Sequence, residues 1–235
     1  MNDMPNNPTK YAIELPEISS LPIVGNAQRF PIRRVYCLAR NYAAHAVEMG
    51  SDPKKPPFYF EKPASAVCDA RENFVYPEIT KALSYEVELF VALKSGGKNI
   101  VEAKANTHIF GYGVAQDMTL RDMQKISKAA GQPWETAKSF DNSAPCTAIH
   151  PVSKTGILTE ARIWLSVNGV MKQESNINKM IWKIPRIIAE LSRHNALKAG
   201  DIILTGTPKG VDVLRREDVL RAGIDGLDEM TFKVI

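Results

Sequence analysis

Cysteine and histidine are scarce in this chain: 235 residues include 3 cysteines and 4 histidines. Cys37, Cys68 and Cys146 are odd in number and widely separated, which argues against a disulfide framework and against a zinc site. Long apolar runs are missing too; none approaches the ~18 residues that span a bilayer. Met1 to Pro8 has neither the basic nor the apolar region of a secretory signal, so a reduced, cytoplasmic setting is the expectation. Net charge is only +4, with Lys and Arg scattered rather than clustered, so no nucleic-acid footprint is evident. The turn Thr205-Gly206-Thr207-Pro208-Lys209-Gly210-Val211 lacks the spacing of a phosphate-binding P-loop. It can still offer backbone N–H groups to an anion. Internal repeats, low-complexity tracts and regular strand–helix alternation are all absent.

What remains is an ordinary globular composition, 44% apolar and 24% charged, long enough for one or two domains. Pro5, Pro8, Pro16 and Pro22, with Pro31 just beyond, mark residues 1–30 as an extended arm on a body spanning 31–235. Arg34 to Ala39 reads as a buried strand, Arg40 to Gly50 as a short helix stopped by glycine, and 51–57 as a loop. Phe58 to Phe60 is a strand fragment. Thr119 to Gly131 reads as a helix capped by Thr119, and Pro185 to His194 as a second with one apolar face. Asn168-Gly169 between two strand-like runs predicts a type I′ hairpin. Many strands with three modest helices fit a strand-dominated α+β fold.

Glu86-Val87-Glu88 stands in the apolar run Leu83 to Leu93. In a strand, residues two apart face one side, so two carboxylates would share a half-buried face. Repulsion and desolvation make that costly without a positive partner. Asp117 ends a second apolar strand, Ile109 to Met118. Three carboxylates without His or Cys favour magnesium or manganese, with calcium also suited. The alternative is two surface carboxylates and a helix-capping Asp. On a helix, Glu48 lies three residues from His45 and can orient its ring as a general base; an exposed surface pair is the plainer reading. Lys138 can stabilise an enolate or hold a carboxylate, or be a solvated loop lysine. His108, His150 and His194 have no acidic partner at useful spacing and read as structural.

Several segments, taken together and in order, resemble the fumarylacetoacetate hydrolase family from about Pro31 to Ile235. They are Arg40-Asn41-Tyr42 with His45 and Glu48; Phe58 to Phe60 with Lys62-Pro63; Glu86-x-Glu88; and Asp117-Met118-Thr119 with Arg121-Asp122 and Gln124. Trp134 with Ala137 to Phe140, Val167-Asn168-Gly169, and Thr205 to Pro208 with Gly210-Val211 complete the series. The chain is most similar to the small single-domain branch of acylpyruvases and fumarylpyruvate hydrolases, enzymes of aromatic catabolism.

The resemblance implies a mixed β-sandwich roll, a homodimer, and one divalent ion, Mg2+ or Mn2+, held by Glu86, Glu88 and Asp117. It implies a water-activating dyad, His45 and Glu48, an enolate-stabilising Lys138, and a substrate pocket using Arg40, Tyr42, Lys62, Arg121, Gln124 and Thr207. The expected reaction is hydrolysis of the C–C bond of a 2,4-dioxo acid, an acylpyruvate or fumarylpyruvate, to pyruvate and a carboxylic acid. The alternative on the same scaffold is oxaloacetate decarboxylation or keto–enol tautomerisation of a 2-oxo acid. The His45 helix and the following Pro-rich loop are expected to act as a lid. Three departures are visible: Ala39 replaces a glycine, Tyr85 replaces a histidine, and Val211 to Arg216 replaces a Gly/Pro-rich loop at the expected outer rim.

Overall fold

The computed structural model describes residues 11–235. Along the chain come β1 (Ser20–Ile23), β2 (Asn26–Pro31), β3 (Arg34–Ala39), α1 (Ala43–Glu48), β4 (Phe58–Lys62), β5 (Val67–Asp69), β6 (Leu83–Ser84) and β7 (Val87–Leu93). Next are β8 (Ile109–Gln116), β9 (Thr119–Leu120), α2 (Arg121–Ala129), β10 (Ala144–Cys146), β11 (His150–Pro151) and α3 (Val152–Thr155). The last third holds β12 (Arg162–Val167), β13 (Val170–Asn176), α4 (Ile184–His194), β14 (Asp201–Leu204), β15 (Val219–Ile224) and β16 (Met230–Lys233).

The main sheet runs β4-β3-β14-β7-β8-β10-β5, with β11 also on β8. It is mixed: β14 lies parallel to β3 and β10 to β5, and the other neighbours are antiparallel. A second sheet, β13-β12-β15-β16, and two ribbons, β1-β2 and β6-β9, complete a strand-dominated α+β architecture. β7 explains the continuous apolar run in the sequence, because all seven of its residues are buried. Leu89, Val91 and Leu93 join a core shared with the second sheet and α4, through Leu165, Leu220 and Ile188. Phe90 and Ala92 join another, closed by Leu21 and Phe30 of the β1-β2 hairpin. A strand buried on both faces loses the usual alternation, and truncating Leu89 to alanine would cost about 2–5 kcal/mol.

Several expectations change here. Of the stretch read as an extended arm, residues 1–10 lie outside the described residues, and Ser20–Pro31 is mostly hairpin. The first helix is shorter than Arg40 to Gly50. Arg40 has a left-handed backbone, φ +61°, which no α-helix accommodates. The Asn41 amide donates to the carbonyls of Thr205 and Trp182, at 2.7 and 3.1 Å, so side-chain bonding holds the chain open before α1. Thr119 does not cap α2. It belongs to β9, its hydroxyl donates to the Asp117 carbonyl at 3.0 Å, and the helix begins at Arg121. The Asn168-Gly169 hairpin forms as read, with φ of +51° and +79°. No helix among the described residues is long and apolar enough to cross a membrane.

Candidate metal centre and catalytic cavity

β7 and β8 pair in a register that sets Val87 against Gln116 and Glu88 against Ala115. One step further out, the Asp117 N–H donates to the Glu86 carbonyl at 2.9 Å, so these two residues stand opposite each other. Opposed residues share a face, as do residues two apart along a strand. Glu86, Glu88 and Asp117 therefore converge: all are buried, and one oxygen of each lies within 4.8 Å of the others. Glu86 sits just outside the regular strand, in the gap between β6 and β7.

Three neighbours fix this cluster. Lys138 Nζ bridges Glu86 Oε2 at 2.8 Å and Asp117 Oδ2 at 2.6 Å. Arg121 donates to Glu86 Oε1 at 2.5 Å. The Gly206 N–H donates to Glu88 Oε2 at 2.6 Å. Gly206 has φ +97°, and a Cβ there would come 2.8 Å from the Asn41 Cβ, so glycine is needed for this approach.

The charges are unequally compensated. Burial pushes Glu86 up, but Lys138, Arg121 and His45 together outweigh it and hold its carboxyl below the ordinary range. Glu88 is pushed well above that range by burial, then by Asp117 and Glu86; Gly206 and Lys138 offset only part. Lys138 is pushed down by burial but up by Asp117 and Glu86, and stays more firmly protonated than usual. Asp117 Oδ1 is buried without a hydrogen bond. Lys62 Nζ lies 2.9 Å from it. That contact is an ion pair without an aligned proton, because the ammonium donates to the carbonyls of Met118 and Lys138 and to Ser143 Oγ. An all-carboxylate donor set with one under-compensated carboxyl fits a hard divalent cation.

Beside the cluster, His45 Nδ1 lies 3.0 Å from Glu48 Oε2. The other Glu48 oxygen accepts from the Gly210 N–H at 2.8 Å. The Gly-rich turn thus does present N–H groups to anions, and those anions are the chain's own Glu48 and Glu88. With Nδ1 engaged by Glu48, Nε2 is the free ring nitrogen.

A cavity of about 290 Å³ gathers these groups. Its walls include the three carboxylates, His45 and Lys138, and four of the residues expected against substrate: Arg40, Arg121, Gln124 and Thr207. Arg121 donates to Gln124 Oε1 at 3.1 Å, and Gln173 donates to Thr207 Oγ1 at 2.9 Å. Tyr42 and Lys62 are not brought to the wall. Tyr42 is buried beside Met180 with its hydroxyl unpartnered. Lys62 has no accessible side-chain surface and spends its donors on the backbone and Ser143, so it acts behind Asp117 and Lys138.

The wall also holds Phe58, Phe60, Trp134 and Lys128, none of them singled out as a site residue. Lys128 was legible as the third member of Arg121-Gln124-Lys128, one face of a helix at i, i+3 and i+7. Much of Lys128 is open to solvent as a residue, yet burial, then Arg121 and Lys138, push its ammonium down. The rim is not made by 211–216. That segment pairs with β6 through the Leu214 N–H to the Leu83 carbonyl and Ser84 Oγ to the Asp212 carbonyl. Tyr85 is fully buried and lies outside the cavity wall. His150 Nε2 accepts the Asp228 N–H at 3.0 Å, which brings the Asp228 carboxylate within 3.2 Å, a meeting that sequence spacing could not reveal.

Comparison with known proteins gives the same outline. Residues 34–235 match the model for the fumarylacetoacetate (FAA) hydrolase C-terminal family. The chain is 42% identical to oxaloacetate tautomerase FAHD1, mitochondrial, of Mus musculus over 202 residues, covering 86% of this chain and 91% of that protein. It is 43% identical to oxaloacetate tautomerase YcgM of Escherichia coli K12 over 198 residues, 84% and 90% of the two chains. Among solved structures, a fumarylpyruvate hydrolase from Pseudomonas aeruginosa in complex with Mn2+ and pyruvate superposes with a TM-score of 0.94. It is 42% identical, with 96% of this chain and 99% of that one covered.

Proposed function

The chain belongs to the fumarylacetoacetate hydrolase family, and on that premise we propose that it is a divalent-metal-dependent enzyme catalysing the keto–enol tautomerisation of oxaloacetate. The observation that carries this reading is the meeting, in one cavity, of the Glu86-Glu88-Asp117 cluster, the His45–Glu48 dyad and Lys138. The tautomerase names of relatives 42% and 43% identical favour this reaction over others on the scaffold.

Glu86, Glu88 and Asp117 would hold the ion, Mg2+ or Mn2+, which when bound would supply Lewis acidity to a 2-oxo acid. His45 Nε2 takes a proton from C3. The C–H electron pair moves into the C2–C3 bond, and the oxygen on C2 takes up a proton, so no water is consumed. Glu48 orients the imidazole and steadies its charged form. Lys138, firmly cationic, sits where negative charge develops. Met49 and Ser51, at the end of α1 and the start of the loop after it, line the cavity, which supports a lid role for that segment.

A second reading, hydrolysis of a 2,4-dioxo acid, is favoured by the Pseudomonas aeruginosa neighbour, a fumarylpyruvate hydrolase bound to pyruvate. Here His45 takes its proton from water, hydroxide attacks the C4 carbonyl, and the C3–C4 bond breaks to give a carboxylate and the enolate of pyruvate. The two readings differ in the proton that His45 removes. The test is a steady-state comparison of the Mn2+-loaded protein on oxaloacetate, fumarylpyruvate and acetylpyruvate, following loss of the enol and release of pyruvate. Accelerated oxaloacetate tautomerisation with slow pyruvate release supports the first; rapid pyruvate release from a dioxo acid supports the second. No rate above background on any of the three sinks both.

A further inference from the structure

Beyond the carboxylates the cavity wall carries an ordered row. Arg40 stacks its guanidinium over Phe58, 4.6 Å from the ring centroid. Phe58 meets Trp134 edge-on, with centroids 6.1 Å apart. Lys128 Nζ lies 5.5 Å from the centroid of Trp134. All four line the same cavity as the metal-binding carboxylates, and the order is cation, ring, ring, cation.

The two cations differ from the others in that cavity. Arg121 and Lys138 are each paired with Glu86. Among the described residues, neither Arg40 nor Lys128 forms a salt bridge, although each stands beside a site rich in carboxylates. Arg40 Nε is buried without a hydrogen-bond partner, and the guanidinium gives a single long bond, 3.3 Å, to the Pro56 carbonyl. An orphaned buried donor costs about 1–3 kcal/mol, and the residue adds a left-handed backbone to that cost. Packing against Phe58 accounts for the ring contact and leaves Nε unexplained. Nε is sealed from solvent, so a planar anion in the cavity would pair with the terminal nitrogens of the guanidinium.

We infer that Arg40, Phe58, Trp134 and Lys128 form a second anion subsite, which takes the carboxylate at the far end of the substrate. The inference rests on the 2-oxo acid chemistry proposed above for the near end. The charge balance agrees with it. Four cationic side chains face three carboxylates in the wall, and a divalent ion raises the excess to three positive charges. A substrate with one carboxylate leaves most of that excess; one with two leaves less. The rings offer flat apolar surface to the chain between the two ends.

The test uses the intact Mn2+-loaded protein and two ligands with the same 2-oxo acid end. 2-Oxoadipate has a carboxylate where 2-oxohexanoate has a methyl group, and neither has the 4-oxo group that hydrolysis requires. Binding is measured by titration calorimetry. The wild type should bind 2-oxoadipate about tenfold or more tightly than 2-oxohexanoate, the value of one charge-assisted hydrogen bond. Lys128→Met should remove most of that preference by weakening 2-oxoadipate alone, and Lys128→Arg should keep it. Arg40→Gln should also reduce it. Equal affinities in the wild type, or a full preference in both Lys128→Met and Arg40→Gln, would overturn the subsite while leaving the 2-oxo acid reading intact. Absence of binding by both ligands would instead overturn that reading, and the subsite with it.

Discussion

The backbone N–H of Gly210 donates to Glu48 Oε1 at 2.8 Å, while the other oxygen of the same carboxylate meets His45 Nδ1 at 3.0 Å. A residue 162 positions away thereby sets the orientation of the dyad. Gly210 has φ +103°, and a Cβ there would come 2.0 Å from the Lys172 carbonyl oxygen. Gly210→Ala should push the loop off Glu48. The expected result is a loss of about 1–3 kcal/mol in stability with a lower kcat and unchanged Mn2+ affinity. Calorimetric melting and Mn2+ titration check this, and an unaltered kcat would detach the loop from the dyad.

His45→Ala should slow tautomerisation or hydrolysis about 10²–10⁴-fold, the usual contribution of a placed general base. Metal affinity should hardly change, since His45 is outside the carboxylate cluster. Glu48→Gln should act in the same direction and less severely, because it misorients the ring rather than removing it. Decarboxylation of oxaloacetate needs no attacking water and should survive in part. If His45→Ala keeps close to the wild-type rate, the dyad mechanism is wrong, and Lys138 is the next group to test as essential.

Glu86→Gln and Asp117→Asn each take one anionic oxygen from the cluster. Both should weaken Mn2+ at least ~100-fold, because even outer-shell partners of a metal cost ~10–100-fold. Activity should fall in step. Electron paramagnetic resonance of free Mn2+ reads the affinity directly, and wild-type affinity in both variants would disprove the ligand assignment.

Lys138 pairs with two buried carboxylates, and Lys138→Met leaves them facing each other. Breaking such a buried pair costs about 3–5 kcal/mol. In EDTA the variant should melt well below the wild type. Adding Mn2+ should raise its Tm more than that of the wild type, since the ion restores the missing positive charge. An equal response to Mn2+ in both proteins would show that the lysine does not balance the cluster.

The family resemblance leads us to expect a homodimer, and Tyr11, Ile13 and Leu15 leave apolar surface exposed on the single chain. Light scattering at micromolar concentration should give twice the 26.1 kDa of one chain. A mass of 26.1 kDa would rule this assembly out.

The sequence alone determined the parts of this protein whose causes are local. The period-2 spacing of Glu86 and Glu88, the Asn168-Gly169 turn, the apolar face of α4 and the three-residue step from His45 to Glu48 act over a few residues of backbone geometry. Each survives into the fold. The resemblance then singled out nine residues of the cavity wall, and Glu48 behind His45. Tertiary structure decided the rest. Lys62 and Lys138 both look like lysines beside a site. Only packing shows that Lys62 is sealed behind Asp117 while Lys138 lines the cavity. Thr119 looks like a helix cap, but pairing with β6 claims its backbone and moves the helix start to Arg121. The row from Arg40 to Lys128 joins the residue after β3, β4, the segment before Lys138 and α2, which share no common periodicity. Spacing along a chain encodes which residues share a face of one element. Which faces meet across elements depends on the sheet register and on the cores that hold it, and these form only when distant segments bury their apolar surface together.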